Sequence, residues 1–153
     1  MDTSITTYSL IDPHFLQPTE EIDPARVSEL QQEILSTGRW TRPVSIHKDE
    51  RFVMDGHHRL AIAKRLGLKV LPVVLLDYDS VVVTAWREGE TITPDSVLAM
   101  ARSGRRFPCK TTRHIFKDSL PHCDIALDEL LHPPLFPVER RVDTQTGNLM
   151  RAV

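Results

Sequence analysis

The chain has 153 residues, 41% of them hydrophobic, and its 19 Lys and Arg against 21 Asp and Glu give a formal net charge of -2. That length suits one domain able to bury a core without staples, and the charge balance excludes the overall positive footprint of a nucleic-acid binder. No apolar run is long enough to span a membrane and no secretory h-region opens the chain, while Cys109 and Cys123 lack metal-like or redox-like spacing; a cytoplasmic protein with reduced thiols is expected.

Residues Thr6 to Ile11 alternate and are partly β-branched, which predicts a first strand. Asp12 to Pro18 reads as an irregular connection. Asp23-Pro24 is an N-cap followed by proline at the first helical position, and Val27, Leu30 and Ile34 recur at helical spacing until Gly38 stops the helix. Arg39 to Pro43 reads as a loop. Val44 to His47 and Phe52 to Met54, joined by Lys48-Asp49-Glu50-Arg51, predict a hairpin. Leu60 to Leu66 has helical character and is stopped by Gly67. Val70 to Leu76 predicts a buried strand with Pro72 at a bulge or early position. Val81 to Trp86 is β-branched and favours a strand. Thr93-Pro94 repeats the cap-then-proline signature for a helix through Ala101, ended by Gly104. Arg105 to His114 reads as a basic loop, and Leu127 to Leu131 as a short helix before the proline-rich Pro133-Pro134-Leu135-Phe136-Pro137.

Chemistry collects in three places. The first is the strand-turn-helix at Asp55-Gly56-His57-His58-Arg59. Gly56 lets the backbone turn sharply and approach a ligand. The N–H groups after it open a helix, so they have no intrahelical partners and carry the positive end of its dipole. Such an end binds phosphate readily, and His57, His58 and Arg59 add side-chain donors. Asp55 could equally be an N-cap, a metal ligand or a carboxylate that orients a nucleophile. The second place is Lys110-Thr111-Thr112-Arg113-His114, where bases and hydroxyls alternate closely enough to surround a polyphosphate or, equally, to form a solvated basic loop. The third is Glu20-Glu21 before a helix, where carboxylates commonly complement the dipole. Trp86, beside Arg87, fits either a rim aromatic or a substrate wall.

The central turn, the extended N-terminal segment, the Pro18-Thr19-Glu20 turn and the Arg42-Pro43-Val44-Ser45-Ile46 strand come in the order of the ParB/sulfiredoxin superfamily, which the chain resembles from roughly Ser9 to Trp86. Within it, Glu20 before Ile22-Asp23-Pro24, the Thr84-Ala85-Trp86 segment and the Lys110–His114 stretch look most like the free serine kinases that use ATP or ADP and form O-phospho-L-serine. The resemblance implies an α+β fold, a small mixed sheet with packed helices, as a single domain over 1–153 with its core at about 6–116 and a C-terminal extension at 117–153. It implies Glu20 as catalytic base and Asp55 as a second essential carboxylate that orients the hydroxyl or holds Mg²⁺. Phosphates would be bound by Gly56, His57, His58 and Arg59, with Lys110, Thr111, Thr112, Arg113 and His114 closing over them, and Trp86 would wall the amino-acid pocket.

Two departures set the chain apart from better-known relatives. Sulfiredoxins carry a cysteine in this turn where His57 stands here, so sulfinic-acid reduction is not expected. Chromosome-partitioning ParB proteins continue into an arginine-rich nucleotide motif and a helix-turn-helix domain, and neither pattern is present. The expected partners are a nucleotide and a small hydroxy amino acid, with no membrane. A nucleotide-binding regulator, a DNA-associated protein or a metal-dependent nuclease on the same fold are the competing readings.

Overall fold

A computed structural model describes residues 5–133, 140–143 and 149–151 of the chain. Strand β1 (Ile5–Ile11) runs antiparallel to β5 (Leu71–Leu76), pairing Ser9 with Val73 and Ile11 with Leu71. On its other side β5 pairs parallel with β3 (Val44–His47), which forms an antiparallel hairpin with β4 (Val53–Asp55). With β9 (Arg140–Asp143) and β10 (Leu149–Arg151) added beyond β1, the six-stranded mixed sheet has the order β10-β9-β1-β5-β3-β4. Pro72 is the second residue of β5, and the register through its Leu10 partner is regular, so it occupies the early position without a bulge.

Helices α1 (Pro24–Thr37) and α2 (His57–Leu66) pack on one another and on this sheet. Their buried stripes, Val27, Leu30 and Ile34 from α1 and Leu60, Ile62 and Ala63 from α2, join Val44, Ile46, Val53, Leu71 and Val73 in the main core. Helical spacing on one side and near-continuous apolar strands on the other suffice to explain this layer. Residues after 116 contribute as well: Cys123, Ile125 and Leu130 belong to the same core.

A second, smaller layer sits beside β4. Strand β6 (Val81–Ala85) pairs with β7 (Thr112–Phe116), and α3 (Pro94–Ser103) covers the pair, giving a core of Phe52, Met54, Val81, Val83, Val97 and Ala101. Alternate residues of a strand point to opposite faces, and β4 uses both. Val53 enters the main core while Phe52 and Met54 enter the small one. The turn at the end of β4 therefore lies on the seam between the two layers.

The structure departs from the sequence reading in two stretches. Arg39–Trp40, expected as loop, forms strand β2, paired with β8 (Ile125–Ala126), and Trp40 is fully buried. The basic stretch Arg105 to His114 is loop only in part. Thr112, Arg113 and His114 belong to β7, in register with Ala85, Thr84 and Val83. The short helix expected at Leu127–Leu131 is α4. Residues 134–139, most of the proline-rich stretch, and residues 152–153 lie outside the described residues.

Candidate functional site

The strand-turn-helix forms as the residues dictate. β4 ends at Asp55, Gly56 takes φ 111° and ψ 26°, and α2 starts at His57. A Cβ on Gly56 would meet both methyls of Val44 at 3.1 Å, so the turn is pressed against β3 as well as held in a conformation that favours glycine. No side chain caps α2, and no acidic residue sits in its first turn. Its leading N–H groups thus face an open cleft of about 400 Å³ with an unopposed helix dipole.

That cleft brings together much of what the sequence singled out. The turn residues Asp55 to Arg59 form one side, Glu20 and Glu21 another, and Trp86, Cys109, Lys110 and Thr112 complete it. Thr111, Arg113 and His114 do not line it. Arg113 turns outward and places its guanidinium 4.8 Å above the Trp86 ring, a cation–π contact. His114 turns inward, where its Nε2 lies 3.0 Å from the Tyr78 hydroxyl and the two rings stack. Burial lowers its pKa to about 4.

Glu20 is held from two sides in the cleft. It is only 7% exposed. The segment carrying it crosses the loop before β7 as a single parallel bridge, with Phe107 N–H donating to Thr19 O and Glu21 N–H donating to Phe107 O, each at 2.8 Å. Its carboxylate accepts from Thr111 N–H at 2.8 Å on Oε1 and from the Thr112 hydroxyl at 2.7 Å on Oε2. A buried carboxylate is stable only when so supplied with donors.

The two histidines have an unanticipated employment. Thr19 N–H donates to His57 Nε2 at 3.1 Å, and Asp23 N–H donates to His58 Nε2 at 3.1 Å. Both ring nitrogens act as acceptors, which requires neutral imidazoles with the proton on Nδ1. Burial favours that state: it lowers His57 to about 3 and lowers His58 as well. Together they tether the segment from Thr19 to Asp23, on which Glu20 sits, to the start of α2.

Arg59 is half-buried, and its pKa is lowered by burial first and by Arg42 second. It reaches the main cleft and also a second one of about 380 Å³, which shares Asp55 and Gly56. This second cleft has an apolar wall from Pro43, Phe116 and Leu120 and polar groups from Arg42, Asp118 and His122. Two guanidiniums held near each other favour an anion between them.

Among the described residues, no group of three or more His, Cys, Asp or Glu could hold a metal ion. The donor set at the turn, one exposed carboxylate from Asp55, is too small for a protein-built cage, so an ion there would need most of its ligands from outside the protein. No helix among the described residues is long and apolar enough to cross a membrane.

A family profile described as the ParB N-terminal domain matches residues 3–90, and the chain belongs to that family. Among curated proteins it is similar to an ATP-dependent L-serine kinase of Staphylothermus marinus, at 39% identity over 83 residues, covering 50% of this chain and 33% of the kinase. It is also similar to an ADP-dependent L-serine kinase of Thermococcus kodakarensis, at 30% identity over 90 residues, covering 55% of this chain and 37% of the relative. The matches thus span little more than a third of the length of these relatives. A solved free serine kinase in complex with AMP shares the fold, with a TM-score of 0.76, 18% identity, and coverage of 85% of this chain and 96% of that one.

Proposed function

We propose that this member of the ParB N-terminal domain family transfers a phosphoryl group from ATP or ADP to the hydroxyl of a free amino acid, L-serine first, to give O-phospho-L-serine. The observation that supports this best is a buried, doubly hydrogen-bonded carboxylate, Glu20, facing the same cleft as an uncapped helix start. The similarity to ATP-dependent and ADP-dependent L-serine kinases points the same way.

Phosphoryl transfer needs a cradle for phosphates, neutralisation of their charge, and an oriented hydroxyl. In this reading the backbone N–H groups of the Gly56–His57 turn and the Arg59 guanidinium hold the phosphates, and Lys110 supplies further positive charge across the cleft. The acceptor lies between Glu20 and Trp86. Its hydroxyl oxygen attacks the terminal phosphorus, the bridging P–O bond breaks with its electron pair leaving on the nucleotide, and the hydroxyl proton passes to Glu20. The nucleoside occupies the second cleft against Phe116 and Leu120, so the phosphates straddle the Asp55–Arg59 ridge that the two clefts share. Mg²⁺ would be held by Asp55 together with the phosphates, and when bound it supplies charge neutralisation on the transferring group.

Purified protein with Mg²⁺, ATP or ADP, and a panel of hydroxy amino acids should yield a new phosphomonoester signal in phosphorus NMR, strongest with L-serine. Glu20→Gln should lower turnover by about a hundredfold to ten-thousandfold while nucleotide binding, measured by calorimetry, persists. Near-normal turnover in that variant removes the base assignment. Nucleotide binding without transfer to any acceptor would instead favour a nucleotide-dependent regulator on this fold.

A further inference from the structure

A stretch such as Lys110-Thr111-Thr112-Arg113-His114 invites the assumption that its hydroxyls bind phosphate. The donor inventory argues otherwise. A threonine hydroxyl has one proton to donate. That of Thr112 goes to Glu20 Oε2 at 2.7 Å, and that of Thr111 goes to the Pro108 carbonyl at 2.6 Å. The Thr111 N–H goes to Glu20 Oε1 at 2.8 Å. Both residues are buried, at 3% and 6% exposure, although Thr112 reaches the cleft wall. Neither hydroxyl has a proton left for a phosphate oxygen.

The same residue reaches toward the other wall of the acceptor pocket. The Trp86 backbone N–H donates to Thr111 O at 3.2 Å, so Thr111, immediately before β7, links Glu20 on one side to the main chain of Trp86 on the other. Lys110, just before it, holds φ 58°, a left-handed value uncommon for a residue with a side chain. Such backbone is retained where the surroundings over-determine it, and here it lies in the Pro108–Thr111 turn, directly before the residue that donates to Glu20.

We infer that Thr111 and Thr112 are positioning residues for Glu20, a two-point clamp that fixes the direction of its carboxylate relative to Trp86, and that they are not ligands of the nucleotide. What Glu20 does rests on the kinase reading; how it is held does not. A carboxylate gripped at both oxygens keeps its remaining lone pairs aimed at one place, and a misplacement of about 1 Å in a reacting group can cost about a hundredfold in rate.

Thr112→Val removes the hydroxyl and keeps the branch, while Thr112→Ser keeps the hydroxyl. The valine variant should lose about a hundredfold in kcat with nucleotide affinity by calorimetry changed by less than about twofold, and the serine variant should recover most of kcat. If Thr112→Val instead weakens nucleotide binding about tenfold, as expected on loss of a charge-assisted phosphate hydrogen bond, and leaves kcat at saturation intact, the clamp is overturned. A readout without turnover separates this from the kinase reading. In full-length protein the Thr111 amide proton resonance should move when Glu20 is changed to Ala. Movement in a protein that phosphorylates nothing keeps the clamp and discards the kinase, whereas an unmoved amide discards the clamp whatever the activity.

Discussion

Helices α1 and α3 begin alike. Each has proline in its first turn and a side chain that answers its own backbone: Asp23 accepts from Ala25 N–H at 3.0 Å, and Thr93 and Ser96 form a reciprocal capping box. Helix α2 begins with Gly56, which offers no side-chain hydrogen bond, and places His57, His58 and Arg59 where the others place proline and polar caps. In α1 and α3 a cap side chain satisfies an orphan donor of the helix itself. Helix α2 has no such cap, and its first N–H groups lie on the seam between two cores, where an anion can complete them. The candidate site differs from an ordinary helix start by what the chain omits.

The contrast can be broken most severely through pH. Burial holds His57, the first residue of α2, at about 3 and His114 at about 4. Both values lie below the unfolded value near 6.5, so on acidification the unfolded chain takes up protons first. The stability these groups contribute is complete above about pH 6.5 and is lost as pH falls toward their folded values. Each histidine costs about 1.4 kcal/mol per pH unit in that window, so unfolding free energies from urea titrations at pH 7 and pH 5 should differ by about 4 kcal/mol for the pair. His57→Gln should remove about half of that slope, and an unchanged slope would mean that the open helix start is not built on a buried neutral ring.

A smaller effect is expected from filling the turn. Gly56→Ala places a methyl against Val44 in a conformation that side chains avoid. A stability loss of about 2 kcal/mol should accompany weaker nucleotide binding, because the turn and its N–H groups move together. Thr93→Ala sharpens the comparison from the other side. Losing that cap should cost α3 about 1 kcal/mol in chemical denaturation and leave nucleotide affinity unaltered. If Thr93→Ala weakened the nucleotide as much as Gly56→Ala, the two kinds of helix start would not be functionally distinct.

Much of this architecture was legible because its signals are local. The Asp23-Pro24 and Thr93-Pro94 starts, the Gly38 and Gly104 stops, the β3–β4 hairpin and the turn at Gly56 each depend on residues within a few positions of one another. The misread stretches depend on distant partners. Arg39–Trp40 is a strand because Ile125–Ala126 lies beside it, and the basic stretch becomes β7 because β6 offers it an edge. Nothing in Lys110 to His114 distinguishes a solvated basic loop from a strand whose alternate residues are buried.

For the candidate site, the sequence by itself determined the strand-turn-helix: a glycine before a helix without a side-chain cap is enough to leave the first N–H groups without intrahelical partners, given the geometry of peptide groups at a helix end. Only the tertiary structure decided what its neighbours do. His57 and His58 became acceptors because folding laid the Thr19–Asp23 segment across them, and Thr111 and Thr112 became partners of Glu20 from 91 and 92 residues away. A side chain's donors and acceptors are fixed by its type, but which of them remain free for a ligand depends on which groups the fold buries beside it.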